Sequence, residues 1–76
     1  MPHVSINMLP GRSDELKKKV ADAIVETMMN ELGCERSHLS VAIHDVAMED
    51  WDNEVVANVD KSEVYSGQVF TVAERK

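Results

Sequence analysis

The run His3-Val4-Ser5-Ile6-Asn7-Met8-Leu9-Pro10-Gly11-Arg12-Ser13-Asp14-Glu15 decides the fold. Val4, Ile6 and Met8 alternate with His3, Ser5 and Asn7, which is the period of a half-buried strand. Pro10-Gly11 is turn chemistry and ends that strand. Ser13 stands where a helix N-cap belongs, and Asp14 and Glu15 put negative charge in the first turn, where the helix dipole favours it. A helix is expected from Asp14 to Leu32, with Gly33 as the residue that stops it. Asp14–Lys18 and Glu15–Lys19 are acid-before-base pairs at i, i+4, suited to an exposed face.

Downstream, residues 39–46 (Leu-Ser-Val-Ala-Ile-His-Asp-Val) alternate again and read as a second strand. Strand, helix and strand with short links form a βαβ unit, so the strands should be parallel with a right-handed crossover. Two parallel strands make a poor isolated sheet, and a second subunit would supply neighbours and cover. On the helix, Leu16, Val20, Ala23, Ile24 and Met28 form an apolar stripe, which Ala21, Val25, Met29 and Leu32 widen. A helix lying on one sheet needs a stripe only ~100° wide or somewhat more. The excess is either a set of tolerated surface residues or a flank that packs on another subunit.

The remainder is less periodic. Residues 48–51 (Met-Glu-Asp-Trp) suggest a turn or a single helical turn, and residues 53–59 a short strand or helix. Ser66-Gly67 is a turn and residues 69–72 have strand character, so a short C-terminal hairpin is expected, a common device for embracing a partner chain. There is no internal repeat, low-complexity stretch or linker, and residues 1–76 read as a single domain. The fold class expected is α+β: a βαβ subunit with two parallel strands, one long helix and the hairpin, completed by oligomerisation.

Composition narrows the function. At 76 residues the core is small, with roughly 60% of the unfolded surface buried on folding. Domains of this size often add a disulfide, a metal or a partner chain. The one cysteine, Cys34, rules out an intrachain disulfide. His3, His38 and His44 lack zinc-like spacing to it, so no metal is expected. A net charge of −6 argues against nucleic acid. No stretch is apolar enough to cross a membrane or to act as a secretory signal, so a cytoplasmic protein is expected. One well-placed arginine still suffices to bind a small carboxylate.

Two residues carry candidate chemistry. Met1 before Pro2 is a substrate pattern for methionine aminopeptidase, because the second residue is small. Removal of Met1 turns the Pro2 nitrogen from an amide into a secondary amine. An α-amino group titrates near ~8 in water. An apolar pocket disfavours its cation and lowers that value. Such an amine, fixed at the start of a strand, suits proton transfer at neutral pH. Arg12, between turn and helix, presents a guanidinium that binds a carboxylate bidentately or draws electron density from a carbonyl as an enolate forms. The plainer alternatives are an incidental second-position proline and a solvated turn arginine.

Pro2 opening a strand, Gly11-Arg12-Ser13-Asp14-Glu15 opening a long helix, and a second parallel strand together resemble the 4-oxalocrotonate tautomerase superfamily. The Gly-Arg-Ser-Asp-Glu run matches typical members residue for residue, and the resemblance covers residues 1–45 well. It implies an N-terminal proline base at Pro2, a substrate-holding role for Arg12, and dimers or hexamers built from dimers. The second half is similar to the PptA-like tautomerases, in which a segment ending acid-acid-tryptophan follows the second strand, as Glu49-Asp50-Trp51 does here. Val64-Tyr65 and Phe70-Thr71 resemble further positions of that branch, whose members are commonly homodimers. The resemblance makes Trp51 a pocket wall; a core or interface tryptophan is the alternative. Ala42 stands where many members have a second arginine, so the substrate expected is not the usual dicarboxylic enol. Ser66-Gly67-Gln68-Val69 replaces a basic pair followed by Pro-Gly.

Among weaker candidates, His3 is expected to be a surface residue, and His44 shares the strand face of Ala42. Asp45 and Glu49 are acids able to hold a proton or a water. The five methionines fill gaps, and Cys34 is structural. The function expected is enol–keto proton transfer on a small α-keto acid or related carbonyl compound. Pro2 would be the base, Arg12 and Trp51 would bind substrate, and no cofactor would be needed. The alternatives are a related hydratase or dehalogenase using protonated Pro2, and a non-catalytic oligomeric binding protein.

Overall fold

The structure, a computed structural model, describes residues 1–73. β1 (His3–Met8) and β2 (Ser40–Asp45) lie side by side and parallel, in register from His3↔Ser40 to Met8↔Asp45. α1 (Asp14–Leu32) connects them. Its ends form for local reasons. Ser13 is extended and its side chain accepts from Leu16 N at 3.1 Å. Gly33 takes φ 71°, a left-handed value that a side chain would strain, and donates its N–H to Met29 O at 3.0 Å.

Alternation sorts the sheet into two faces. Val4, Ile6, Met8, Val41 and Ile43 are half-buried, while His3, Ser5, Asn7, Ser40, Ala42 and His44 form an exposed polar face. On α1 the sheltered positions are Lys17, Val20, Ala21, Ile24, Val25, Met28 and Met29. The stripe is therefore centred on Val25, one step round from the expected centre. Leu16 and Leu32 are left 44% and 61% exposed. The charge pairing also differs from expectation. Lys18 reaches forward to Asp22 (3.0 Å), and Lys17 crosses to Asp45 at the end of β2 (2.8 Å).

Val46 continues the ladder past β2 by donating to Met8 O at 2.9 Å, and is 3% exposed. This fixes where α2 (Met48–Glu54) begins. The region expected as a strand or helix across 53–59 is helical, passing into a 3₁₀ turn at Val56–Asn58. A second such turn, Lys61–Glu63, is capped by Asp60, which accepts from Ser62 N (3.0 Å) and Ser62 Oγ (2.6 Å). The side-chain bond first, then the backbone one, hold the Asp60 carboxyl below its ordinary value.

The expected C-terminal hairpin does not form among the described residues, whose sheet consists of β1 and β2 alone. The reason lies in where the backbone groups of residues 70–73 go. The Phe70 carbonyl accepts from Trp51 Nε1, and the Val72 and Ala73 amides donate to the Asp52 carboxylate. These groups are satisfied by α2 side chains, so they make no strand ladder.

The core is thin. Val25, Val46 and Trp51 are the buried hydrophobic residues, and no described side chain is completely enclosed. Each strand of the two-stranded sheet has a free edge.

Candidate active site

The turn after β1 and the start of α1 place Arg12 at the C-terminal end of the sheet. Its Nη1 donates to Leu9 O at 3.2 Å, which folds the side chain back across the turn. Among the described residues Arg12 has no carboxylate partner, whereas Arg36 is paired with Glu26 at 2.6 Å. Arg12 lines a hollow of about 280 Å³ with Asn7, Met8, Leu9, Trp51 and Phe70. That is near the lower end of the volume usual for small-molecule sites.

Trp51 forms the apolar wall. It is 9% exposed and meets the Phe70 ring edge to face, with centroids 6.1 Å apart and planes at 69°. Its Nε1 donates to Phe70 O at 2.8 Å, so the indole is tied to the C-terminal segment. Beside it, Asp52 Oδ1 accepts from Val72 N at 2.9 Å and Oδ2 from Ala73 N at 3.1 Å. These bonds strap residues 70–73 onto α2 and hold Phe70 over the hollow. Within the strap, Thr71 Oγ1 is buried without a hydrogen-bond partner among the described residues. Asp52→Ala removes two charge-assisted bonds. It is expected to lower stability by about 1–3 kcal/mol in urea unfolding, with Asp52→Asn, which keeps one acceptor, falling between.

Pro2 is elsewhere. It is half-buried, just ahead of β1, and its nitrogen is joined to Met1, which is 96% exposed. At ~3.3 Å per residue, β1 puts about 17 Å between His3 and Met8 at its two ends. The fold thus brings Arg12 and Trp51 together and leaves Pro2 at the far end of the same strand.

The weaker candidates divide in the same way. His3 is on the exposed face, with Nδ1 2.6 Å from Ser40 Oγ. His44 is exposed and pairs in register with Asn7. Asp45 is engaged by Lys17, and Glu49 is exposed in the first turn of α2. Cys34 is a half-exposed free thiol. Among the described residues no group of three or more His, Cys, Asp or Glu is arranged to hold a metal, and no helix is long and apolar enough to cross a membrane. A second hollow of about 210 Å³, between Lys61, Val64, Gly67, Gln68 and Val69, offers one charged group and no acid–base pair.

Three contributors were not singled out from sequence. Asn7 was visible only as a polar phase of β1. Leu9 was the last residue before the turn. Asp52 carried no local signal, because its partners lie 20 and 21 residues away.

A βαβ scaffold with an arginine that has no carboxylate partner among the described residues, and an aromatic wall beside it at one end of the sheet, defines a small α+β protein. Comparison with known proteins assigns it further. The model of the family described as "Tautomerase enzyme" matches residues 2–59. A probable tautomerase of Xylella fastidiosa (strain 9a5c) is 39% identical over 75 residues, covering 99% of this chain and 80% of that protein. A 2-hydroxymuconate tautomerase of Comamonas testosteroni is 39% identical over 51 residues, covering 67% of this chain and 81% of that protein. Among solved structures, TomN, a 4-oxalocrotonate tautomerase homologue in the tomaymycin biosynthetic pathway, superposes with a TM-score of 0.62. At 19% identity, over 97% of this chain and 92% of TomN, that likeness speaks for the fold. The chain belongs to the tautomerase family, and it is an isomerase.

Proposed function

We propose that the enzyme interconverts the enol and keto forms of a small α-keto acid or related carbonyl compound, with the amine of Pro2 as general base once Met1 is removed. The observation that carries this reading is the Arg12 guanidinium, free of any carboxylate partner among the described residues and walled by Trp51 and Phe70. In ketonisation, the Pro2 amine takes the enol hydroxyl proton, and the oxygen lone pair forms the carbonyl. The electrons of the C=C bond pass to the α-carbon, which takes a proton back from the Pro2 ammonium. Arg12 holds the substrate carboxylate or the carbonyl oxygen. Trp51 keeps water from the site, and no cofactor takes part.

Pro2 and Arg12 occupy opposite ends of β1, so the site of this mechanism is shared. A second copy running antiparallel along a free sheet edge would set its Pro2 beside the first copy's Arg12 and Trp51. The thin core, the open edges of the sheet and the exposed Leu16, Leu32, Met48 and Tyr65 support a homodimer, or a hexamer built from dimers. A hydratase or dehalogenase reading has less support. Asp45 is held by Lys17 at 2.8 Å, and neither it nor Glu49 lines the hollow.

The test is the rate of ketonisation of phenylpyruvate enol and 2-hydroxymuconate, followed by ultraviolet absorbance with protein shown by mass spectrometry to lack Met1. Acceleration over buffer is expected. A mature protein no faster than buffer on either enol would sink the proposal. Arg12→Lys keeps the charge but loses the planar fork, and is expected to raise KM by about 10- to 100-fold.

A further inference from the structure

The hollow beside Arg12 has a limited set of polar groups. Arg12 is the cation among its described lining residues and Asn7 is their amide, while Met8, Leu9, Trp51 and Phe70 are apolar. Asn7 lies on the exposed phase of β1 and makes no side-chain hydrogen bond with the described residues, so its donors are available. Around it the polar face supplies no second cation of fixed charge. Ser5 faces Ala42, and Asn7 faces His44, which does not line the hollow. The nearest strand-end acid, Asp45, is in register with Met8 and has its charge matched by Lys17. The Trp51 N–H is already committed to Phe70 O, so the indole offers the substrate a surface and no donor.

We infer that Asn7 is a specificity-determining residue, an inference that rests on the tautomerase reading. Its amide N–H donates to the enol or keto oxygen of a substrate whose single carboxylate is held by Arg12, and this combination selects monocarboxylic enols with an apolar remainder. Two physical arguments support it. An amide aimed at an oxygen where negative charge grows stabilises the enolate-like transition state without adding net charge. A second carboxylate would be desolvated among Met8, Leu9, Trp51 and Phe70, where the described lining offers no fixed cation besides the Arg12 already engaged by the first, and a poorly matched desolvated charge is disfavoured. An apolar or aromatic tail gains burial in the same place.

The experiment compares kcat/KM for phenylpyruvate enol, a monocarboxylate with an aromatic tail, with that for the dicarboxylate 2-hydroxymuconate. Wild-type protein lacking Met1, Asn7→Ala and Asn7→Arg are measured, with circular dichroism confirming that each is folded. The wild type is expected to favour the monocarboxylate. Asn7→Ala should lose about tenfold in kcat on that substrate, the scale of one hydrogen bond. Asn7→Arg should move the preference towards the dicarboxylate by tenfold or more. A wild type that is active but prefers 2-hydroxymuconate overturns this inference and leaves the tautomerase reading standing. A preference unchanged in Asn7→Ala and Asn7→Arg does the same. A wild type inactive on both enols overturns the two together. Asn7 is exposed, so Asn7→Ala is expected to fold; should Asn7→Arg fail to, the wild-type preference and Asn7→Ala decide the matter.

Discussion

Protein that retains Met1 is expected to ketonise an enol about 10²–10⁴-fold more slowly than the same chain with a free Pro2, the range a positioned general base contributes. The cause is covalent. With Met1 attached, the Pro2 nitrogen is part of a tertiary amide, whose lone pair is delocalised into the carbonyl and does not accept a proton. Freed, it is a secondary amine held at the start of β1. Pro2→Ala in mature protein leaves a primary amine on a less constrained residue, so a smaller loss is expected there. For the mature enzyme, activity should rise with pH as the amine loses its proton, because the proposed mechanism uses the deprotonated form. Mass spectrometry identifies the two forms and ultraviolet absorbance gives their rates. Equal rates with and without Met1 would eliminate Pro2 as the base.

Trp51→Ala is the substitution expected to cost most in stability, about 3–5 kcal/mol. Small domains have only about 5–15 kcal/mol in total. Trp51 is one of the buried hydrophobic residues of a thin core, packs edge to face on Phe70, and anchors the Phe70 carbonyl. Its removal leaves a cavity and loses the Trp51–Phe70 hydrogen bond together. Urea unfolding followed by circular dichroism measures the loss, since this is the single tryptophan and its fluorescence disappears with it. Trp51→Phe keeps a ring and loses the N–H, and is expected to cost about 1 kcal/mol. An unfolding midpoint for Trp51→Ala equal to that of the wild type would mean that the strap and wall do not depend on this ring.

What was legible in the sequence was what is decided locally. Ser13, Gly33 and the alternation of Val4, Ile6 and Met8 set α1 and β1, because caps and strand period act over a few residues. The C-terminal segment was not legible for the converse reason. Residues 69–72 are half-buried and apolar enough to look like a strand, but the Phe70 carbonyl and the Val72 amide are engaged by Trp51 and Asp52 from 19 and 20 residues away. The partner of Lys17 was out of reach for the same reason. It stands in the run Lys17-Lys18-Lys19 and bonds to Asp45, 28 residues along the chain. Of the site, Arg12 and Trp51 could be placed from sequence, and the fold puts them in one hollow. The separation of Pro2 from Arg12 was legible too, because sequence already put Pro2 ahead of the strand and Arg12 after the turn that ends it.

The strap has one more consequence. Residues 70–73 hang from two side chains of α2 and add no rung to the sheet. Of the described residues that line the hollow, Phe70 belongs to this tailpiece, while Asn7, Met8, Leu9, Arg12 and Trp51 belong to β1, the turn after it and α2. Randomising residues 66–73 while keeping Trp51 and Asp52 would therefore change the Phe70 wall of the hollow and leave the Arg12 end of it in place. A lineage could exchange one tailpiece for another and so alter the wall beside Trp51 without touching the strand that carries Pro2.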